Sequence, residues 1–361
     1  MRSGLRRRTG PPDALENRSL QLLRLRRNQC LPGLPQGRPG RGDGVVTVED
    51  LLSRRLLFTV GKGGVGRTTV TLALALEAAR AGKRVLAVEL EGARGLERAL
   101  HSLRSSGNAL PELDRIDHLA LDGRASLEEY LSMIIPVRRL LRTIFDSAIY
   151  QYFVAAAPGL KELMVIGKIW FEADRSSSGA SDAPDLVLVD GPATGHSLQY
   201  LRMPQAAFEA FPAGLVHREA ERVLGLLRDA ARTSVVVVST AEEMPANETL
   251  EIFSGIEALG LNVGLLVVNQ VHSAPCATGD LERLEAGVGE ERDGRTFAEA
   301  VRRAREEAGW ARINEANLQR LSEASPATTT ALPYLFCEEF GTEELVVLSS
   351  LLRGSGPEGR A

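Results

Sequence analysis

A glycine-rich run near residue 60 combines the residue types that bind phosphate groups. It holds four glycines, a lysine, an arginine and two adjacent threonines. In order, its residues are Gly61, Lys62, Gly63, Gly64, Val65, Gly66, Arg67, Thr68 and Thr69. Glycines allow successive backbone N–H groups to converge on phosphate oxygens, and a helix that begins at such a loop adds a favourable dipole. These residues are therefore predicted to bind the phosphates of a nucleotide, with the Thr68 hydroxyl as a Mg²⁺ ligand.

A second group suited to metal chemistry is Asp190, the last residue of the apolar run Leu186–Asp190. A carboxylate at the end of a buried strand can hold Mg²⁺ or one of its waters. Gly191 and Gly195 flank the turn that follows, which could track the γ-phosphate of a nucleotide. An aspartate at the end of a strand is common, so its meaning depends on the residues around it.

Strands and helices must bring these two segments together. A strand leads into the glycine-rich loop and the apolar helix Thr68–Ala81 leaves it, which is the setting that a phosphate loop requires. Short runs rich in β-branched residues recur along the chain, separated by helical stretches. They are Arg55–Val60, Arg84–Leu90, His118–Leu121, Leu186–Asp190, Ser234–Thr240, Val263–Val271 and Ala331–Leu335, before a closing helix at Thr342–Leu352. This alternation predicts an α/β fold with a mostly parallel sheet covered by helices on both faces. Together with the glycine-rich loop between a strand and a helix, it predicts a P-loop NTPase fold.

The chain divides into three parts by composition. Residues 1–44 are rich in Arg, Pro and Gly and are predicted to be a disordered extension, residues 45–352 a globular domain, and residues 353–361 a flexible tail. The alternatives for the first part are a basic arm for nucleic acid or acidic lipid, and upstream DNA translated from a start codon assigned too early. Within the domain, residues 126–173 are predicted to be a helical insert. Residues 277–325 are charged and helical, as on a solvated face.

Composition and charge exclude several classes of protein. The chain is 44% hydrophobic and 25% charged, as globular proteins are, and it lacks both a run of about 18 uncharged apolar residues and the apolar core of a secretory signal. Its cysteines, Cys30, Cys276 and Cys337, lie far apart, which argues against a disulfide framework or a local zinc site. Residues 1–43 carry ten arginines and three acidic residues, a net of +7, which leaves −11 for the rest of a chain of net −4. We therefore expect a cytoplasmic protein with no nucleic-acid partner and no stable membrane insertion.

The glycine-rich loop resembles the deviant Walker A motif, in which an additional lysine precedes the glycines. The run of residues 62–66, KGGVG, carries the likeness, which extends to ArsA, MinD, ParA and nitrogenase iron proteins. In that superfamily the signature lysine reaches the nucleotide held by the opposite subunit. The resemblance therefore implies a dimer that closes over ATP and Mg²⁺, with Lys62 acting in trans.

Position 67 departs from that pattern. The superfamily has a lysine there, whose compact ammonium bridges the β- and γ-phosphates, whereas this chain has Arg67. Arginine keeps the charge, but its wider planar fork favours bidentate contacts, and such a change can cost orders of magnitude in rate. The alternative is lysine-to-arginine drift in an arginine-rich chain. Sequence alone leaves both outcomes open.

Residues 190–204, DGPATGHSLQYLRMP, resemble switch II of the ArsA branch, which includes the ATPases that target tail-anchored proteins. MinD and ParA proteins lack this run. The resemblance assigns the Mg²⁺ carboxylate to Asp190. The other switch II residues that it implies are Gly191, Pro192, Gly195 and His196. Residues 237–250, VVSTAEEMPANETL, are similar to a strand and helix of the same branch, and the likeness covers about residues 50–352.

Three more residues take roles from the same resemblance. Residues 85–96, VLAVELEGARGL, stand in the place of switch I and put Glu91 where an aspartate orients the attacking water; a solvated glutamate after a strand is the alternative. Asn269 matches a residue that reads the adenine edge, and a buried asparagine that caps a turn is the alternative. Pro333, with Phe336, falls in a loop that packs against the base.

The helical insert bears on the question of cargo. In the targeting ATPases a helical subdomain in this place forms an apolar groove for a client helix, whereas the alternative here is that the insert simply packs on the sheet. Its large apolar residues are Met133, Ile134, Ile135, Phe145, Tyr152, Phe153 and Met164. Residues 156–162, AAPGLKE, resemble the element that joins the insert to the core and suggest a relay between the two.

Two functions within this family stay open. The first is an ATPase whose dimer, homomeric or built with an ArsA-like paralogue, couples ATP binding and hydrolysis to a change in a partner or cargo protein. The second is a hydrolysis-deficient regulatory subunit of such a pair, and a chaperone for apolar helices is a third and weaker hypothesis. Arsenite transport is disfavoured because the metalloid-binding cysteines of the arsenite pump have no counterpart here. The CxxC zinc clasp of eukaryotic targeting ATPases and the ligating cysteines of the nitrogenase iron protein are also missing.

Overall fold

The computed structural model describes residues 46–90, 94–106, 110–134, 159–175, 182–192, 195–286 and 294–354. The predicted extension 1–44, Glu91, residues 135–158 of the predicted insert and residues 355–361 of the predicted tail lie outside the described residues. The domain begins with a short helix whose first turn is capped by Thr47: its hydroxyl accepts the N–H of Asp50, and the carboxylate of Asp50 accepts the N–H of Thr47.

Seven parallel strands form one sheet in the described part of the chain, in the order β3-β2-β4-β1-β5-β6-β7. Their bounds are β1 Leu56–Val60, β2 Val85–Leu90, β3 Ile116–Leu121, β4 Leu186–Asp190, β5 Thr233–Thr240, β6 Val263–Val271 and β7 Thr328–Pro333. The predicted fold class is confirmed. Strands β2, β3 and β4 lie on one side of β1, and strands β5, β6 and β7 lie on the other. The direction in which the chain adds strands therefore reverses at β1. Ligands of such sheets bind outside the carboxyl ends of the strands at this reversal.

The helices cover the sheet, and a 3₁₀ turn occupies Pro111–Arg115. Their bounds are α1 Val48–Leu52, α2 Arg67–Arg80, α3 Gly95–Ser105, α4 Gly123–Ile134, α5 Leu160–Arg175, α6 Gly195–Ala210, α7 Leu215–Arg228, α8 Glu243–Ala258, α9 Thr278–Ala286, α10 Gly294–Ala324 and α11 Thr342–Arg353. The described ends of the predicted insert are helical, as expected. Lys168 of α5 bonds to Glu129 of α4 at 2.8 Å, which joins these two helices.

Helix α2 lies in the middle of the core. Ten consecutive residues, Val70 to Ala79, are buried, and a helix covered on every side belongs in a domain interior. Its alanines allow close approach to the sheet, and the buried leucines of α11 belong to the same core cluster. Near its first turn, the hydroxyls of Thr59 and Thr71 bond at 2.7 Å, and Thr59 also donates to the carbonyl of Val189. These contacts fix the start of α2 against β1 and β4.

Both edge strands differ from their predicted bounds. β3 begins at Ile116, two residues before the predicted run, and β7 runs from Thr328 to Pro333 where 331–335 was predicted. The cause is exposure: an edge strand is half solvated, so it tolerates polar residues such as Asp117 that break an apolar run. Pro333 ends β7, a position that suits a residue without a backbone N–H.

Candidate nucleotide site

The glycine-rich loop connects the end of β1 to the start of α2. Gly64 and Gly66 have positive φ angles of 89° and 85°, which side chains with a Cβ adopt at a cost. Gly61 is required for a different reason, since a Cβ there would overlap the carbonyl oxygen of Val238 in β5. The loop is therefore wedged against the sheet, and its backbone turns at the N-terminus of a buried helix, as a phosphate site requires.

Asn269 supports this loop from β6. Its buried side-chain amide donates to the carbonyl of Val65 at 3.0 Å, and a Cβ on Gly66 would overlap the same amide. In the structure Asn269 therefore helps to hold the loop, a role similar to the alternative in which a buried asparagine caps a turn. The predicted contact of Asn269 with adenine stays a prediction. Pro333 lies next to Val271 of β6, at the same edge of the sheet.

Gly66→Ala is expected to destabilise the protein by about 2–4 kcal/mol, because the new methyl both strains the backbone and displaces the Asn269 amide from Val65. Gly64→Ala is the matched control: φ is nearly the same, but no atom lies within 4 Å of its added Cβ, so a cost of about 1–2 kcal/mol is expected. Chemical denaturation measures both. Equal costs would mean that the contact with Asn269 contributes nothing.

Thr68 and Asp190 meet at the start of α2. The hydroxyl of Thr68 donates to Oδ2 of Asp190 at 2.6 Å, while the buried Oδ1 has no hydrogen-bond partner. Burial raises the pKa of the Asp190 carboxyl, and the Thr68 bond and the charge of Arg67 lower it in part. A hydroxyl and a carboxylate with a free oxygen are hard oxygen ligands, so these residues fit Mg²⁺.

Arg67 joins the loop to the residues after β4. Its guanidinium donates to the carbonyl of Gly61 at 3.1 Å and also to the carbonyl of Pro192. Burial lowers the pKa of this guanidinium, and the charge of Asp190 raises it in part. The sequence predicted Arg67 as a phosphate ligand, whereas here the side chain ties the loop to the predicted switch II.

The rest of the predicted switch II follows Asp190 directly. Gly191 donates its N–H to the carbonyl of Thr59 at 3.1 Å, which holds the turn against β1. Gly195 and His196 begin α6, and the side chain of His196 lies outside the described residues.

Lys62 is paired within its own chain. Its ammonium lies 2.6 Å from Oε1 of Glu248 on α8, and about a quarter to a third of each side chain is exposed. The second oxygen of Glu248 is buried without a hydrogen-bond partner. A cavity of about 300 Å³ opens beside this pair, between the glycine loop, the end of β5 and the first turn of α8.

Sequence analysis missed Glu89 at this edge of the sheet, and it missed the rings of His272 and Tyr334 that gather around the predicted Phe336. Glu89, one residue before the end of β2, is buried and accepts backbone N–H groups from α3; an acidic residue inside an apolar strand was the available signal. Aromatic rings also gather after β6 and β7. His272 stacks on Tyr334 with ring centroids 4.6 Å apart, and Tyr334 meets Phe336 edge-on at 4.9 Å.

Comparison with known proteins agrees with this geometry. The family profile for ArsA-type anion-transporting ATPases matches residues 54–213 and 215–286, well over half of the chain. The chain belongs to the ArsA ATPase family. The matched residues include the glycine loop, Asp190, the predicted switch II and Asn269. Membership in the ArsA family supports an ATP-dependent activity and implies a nucleotide site.

Several curated ATPases are similar in sequence to this chain. ATPase BagA of Mycobacterium tuberculosis is 30% identical over 238 residues, 64% of this chain and 70% of its own length. An arsenical pump-driving ATPase of Escherichia coli is 25% identical over 232 residues, 60% of this chain and 39% of its own. ATPase get3 of Schizosaccharomyces japonicus is 27% identical over 178 residues, 48% of this chain and 52% of its own. Among the described residues of this ArsA-family chain, no helix is long and apolar enough to cross a membrane.

Proposed function

We propose that this chain binds Mg·ATP at residues 61–69 and couples ATP binding and hydrolysis to a conformational change in a partner or cargo protein. The pair of Thr68 and Asp190 carries the proposal. Their bond leaves one buried carboxylate oxygen of Asp190 without a partner, at the helix N-terminus where phosphates and Mg²⁺ would meet. A buried acceptor without a partner is costly in a protein that never binds a cation there.

The residues of the site have distinct parts. Backbone N–H groups of residues 61–69 and the dipole of α2 bind the phosphates, and Thr68 and Asp190 hold Mg²⁺. The ion, when bound by these two residues, would supply positive charge to the phosphoryl group that is transferred. Arg67 supplies a permanent positive charge at the same phosphates. Glu91 orients the attacking water.

The adenine base is proposed to lie beyond the loop, where β6 and β7 end. Asn269 and Pro333 stand at this edge, and the rings of Tyr334 and Phe336 are 40% and 66% exposed beside them. An exposed aromatic ring offers a face on which a base can stack. Asn269 would then serve both the loop and the base.

The functional unit is proposed to be a dimer, homomeric or built with an ArsA-like paralogue. The deviant Walker A likeness gives Lys62 a role in the partner's site. In the single chain Lys62 is bound to Glu248, so this ion pair must break before the ammonium can reach a second nucleotide. Dimer closure and release of Glu248 are therefore coupled.

Lys62→Ala is expected to leave binding of Mg·ATP within about threefold but to lower phosphate release at least about 100-fold, because the charge is missing from the partner's transition state. Glu248→Gln is expected to strengthen ATP-dependent self-association by about two- to fivefold, since a partly exposed ion pair contributes up to about 1 kcal/mol. Fluorescent-nucleotide binding, phosphate release and sedimentation velocity measure these effects on the unmodified chain and both variants.

Glu251→Gln, on an exposed position of the same helix, is the control for loss of charge. A Lys62→Ala variant that hydrolyses ATP like the unmodified chain would remove Lys62 from the mechanism. An unmodified chain that binds no Mg·ATP would refute the proposed function as a whole.

A second candidate function is favoured by one contact, that of Arg67 with Pro192. Because the guanidinium holds switch II to the loop, it can slow the rearrangement that hydrolysis needs. The chain would then bind ATP tightly, turn it over little, and offer Lys62 to a competent paralogue. Tight binding without turnover, relieved by addition of that paralogue, would support this regulatory subunit.

We also propose the domain organisation expected from the sequence: a nucleotide domain at residues 45–352, flanked by an extension and a tail, with the cargo contact in the insert at about 126–173. Helices α4 and α5 at the two ends of the insert are joined by the ion pair of Lys168 with Glu129. Helix α5 also packs on α6, which begins with Gly195 of the predicted switch II. Movement of switch II can therefore reach the insert and an apolar client helix within it.

A further inference from the structure

Glu89 caps a helix from inside a neighbouring strand. Its Oε1 accepts the backbone N–H groups of Gly95 and Leu96 at 2.6 and 3.1 Å, and its Oε2 accepts that of Glu97 at 3.4 Å. The N-cap residue of α3, Arg94, makes no side-chain cap bond and has a left-handed φ of 44°. The buried carboxylate therefore supplies the acceptor that α3 lacks, and it holds a strained residue in place.

The same carboxylate borders the proposed Mg²⁺ site. Glu89 pairs in register with Asp190 of the adjacent parallel strand, so the two side chains leave the sheet on the same face. The position of a Cβ on Gly95 would lie 3.7 Å from Oε1 of Glu89 and 3.9 Å from the hydroxyl of Thr68.

Two buried carboxylates side by side are an unfavourable arrangement that a cation relieves. Among the described groups near Glu89, the imidazole of His118 lies 3.4 Å from its Oε2, but that ring nitrogen makes no hydrogen bond. The unpartnered Oδ1 of Asp190 is buried at the same level of the sheet. Mg²⁺ keeps several of its waters in protein sites, and carboxylates that do not touch the ion bind those waters.

We propose that Glu89 is a positioning residue that binds a water ligand of Mg²⁺ and thereby links the metal to the first turn of α3. The inference rests on the proposed function, because it needs Mg²⁺ at Thr68 and Asp190. A carboxylate that serves both the water and three N–H groups of α3 must share its lone pairs between them. Metal binding therefore changes the strength of the hydrogen bonds between Glu89 and the first turn of α3. The stability of this turn then depends on whether Mg²⁺ is bound at the nucleotide site.

Glu89→Gln is expected to raise the apparent dissociation constant for Mg²⁺ about tenfold at saturating nucleotide, as loss of an outer-shell ligand does. Affinity for a fluorescent ATP analogue in excess chelator should stay within about twofold. Hydrogen exchange at Gly95, Leu96 and Glu97 provides a second measurement. In the unmodified chain, adding Mg²⁺ to the nucleotide-bound protein should change exchange at these amides, and Glu89→Gln should remove the response.

Glu97→Gln is the matched control, since it removes an exposed charge from the same helical turn and should leave both measurements unchanged. Glu89→Asp keeps the charge but shortens the reach, and an intermediate effect is expected. Unchanged Mg²⁺ affinity in folded Glu89→Gln would overturn the inference. The inference would also be overturned if adding Mg²⁺ to the unmodified, nucleotide-bound chain left hydrogen exchange at residues 95–97 unchanged. This second test does not depend on whether the variant folds. Failure of the unmodified chain to bind Mg·ATP would instead overturn the proposed function together with this inference.

Discussion

Asp190→Asn is expected to abolish Mg²⁺-dependent nucleotide binding, with a loss in affinity of at least about 100-fold, and to raise the melting temperature of the nucleotide-free protein by roughly 1–3 °C. Both effects follow from the loss of the negative charge of the carboxylate. Burial raises the pKa of this carboxyl, so the folded chain bears the full cost above the raised folded pKa, where the group is ionised in both states. It regains that stability as pH falls from the folded pKa towards the unfolded one. The amide removes that cost near neutral pH and still accepts the hydroxyl of Thr68, but it lacks the charge that holds Mg²⁺.

Asp185→Asn is the matched control for this variant. Asp185 precedes the other end of β4, where it accepts the backbone N–H of Arg84 at 2.8 Å far from the glycine loop. It should leave Mg·ATP binding unchanged. Calorimetric titration and thermal unfolding measure both variants, and an Asp190→Asn protein that binds Mg·ATP normally would show that Mg²⁺ is held elsewhere.

Arg67→Lys is expected to increase phosphate release from saturating Mg·ATP by at least about tenfold. A lysine offers a compact ammonium to the phosphates, whereas the guanidinium is spread over a planar fork that here contacts the carbonyls of Gly61 and Pro192. Both carbonyls accept from one guanidinium nitrogen, Nη1, and the shorter lysine side chain does not carry its nitrogen to the same place, so switch II should also be released more easily. Steady-state phosphate release measures the effect directly.

Arg80→Lys makes the same chemical change in the last turn of α2, where the arginine bonds to Glu77 and Ser349, and it should not alter the rate. Equal rates for Arg67→Lys and the unmodified chain would mean that arginine serves as well as lysine, which would remove the main argument for a regulatory subunit. No hydrolysis in either protein would place the defect outside position 67.

Among the described contacts of the glycine loop, three join its side chains or backbone to residues beyond the metal pair. Arg67 ties the loop to Pro192, Lys62 pairs with Glu248, and Asn269 supports Val65. The first two use positive groups that the proposed mechanism assigns to phosphates. Nucleotide binding must therefore exchange protein acceptors for phosphate oxygens at Arg67, and dimer closure must do the same at Lys62. The exchange at Arg67 would release switch II when nucleotide binds, and the exchange at Lys62 would release Glu248 of α8 when the dimer closes.

Local patterns were enough to predict most of the fold. Continuous β-branched runs predicted the buried strands β4 and β6 to the residue, because a strand covered on both faces must be apolar throughout. The glycine loop followed from the strand before it and the apolar helix after it. The edge strands β3 and β7 were predicted less well, since solvent on one side permits polar residues that interrupt the pattern.

The sequence by itself determined the family, the parallel sheet and the position of the phosphate loop, because these depend on residue types at short, fixed spacings. Only the tertiary structure decided which groups meet at the site. Arg67 reaches a carbonyl 125 residues away, and Asn269 supports a loop 204 residues before it. Glu89 caps α3 and borders Asp190 only because β2 lies beside β4. Such contacts depend on strand order, which a chain with parallel strands sets through long crossovers and no local pattern records.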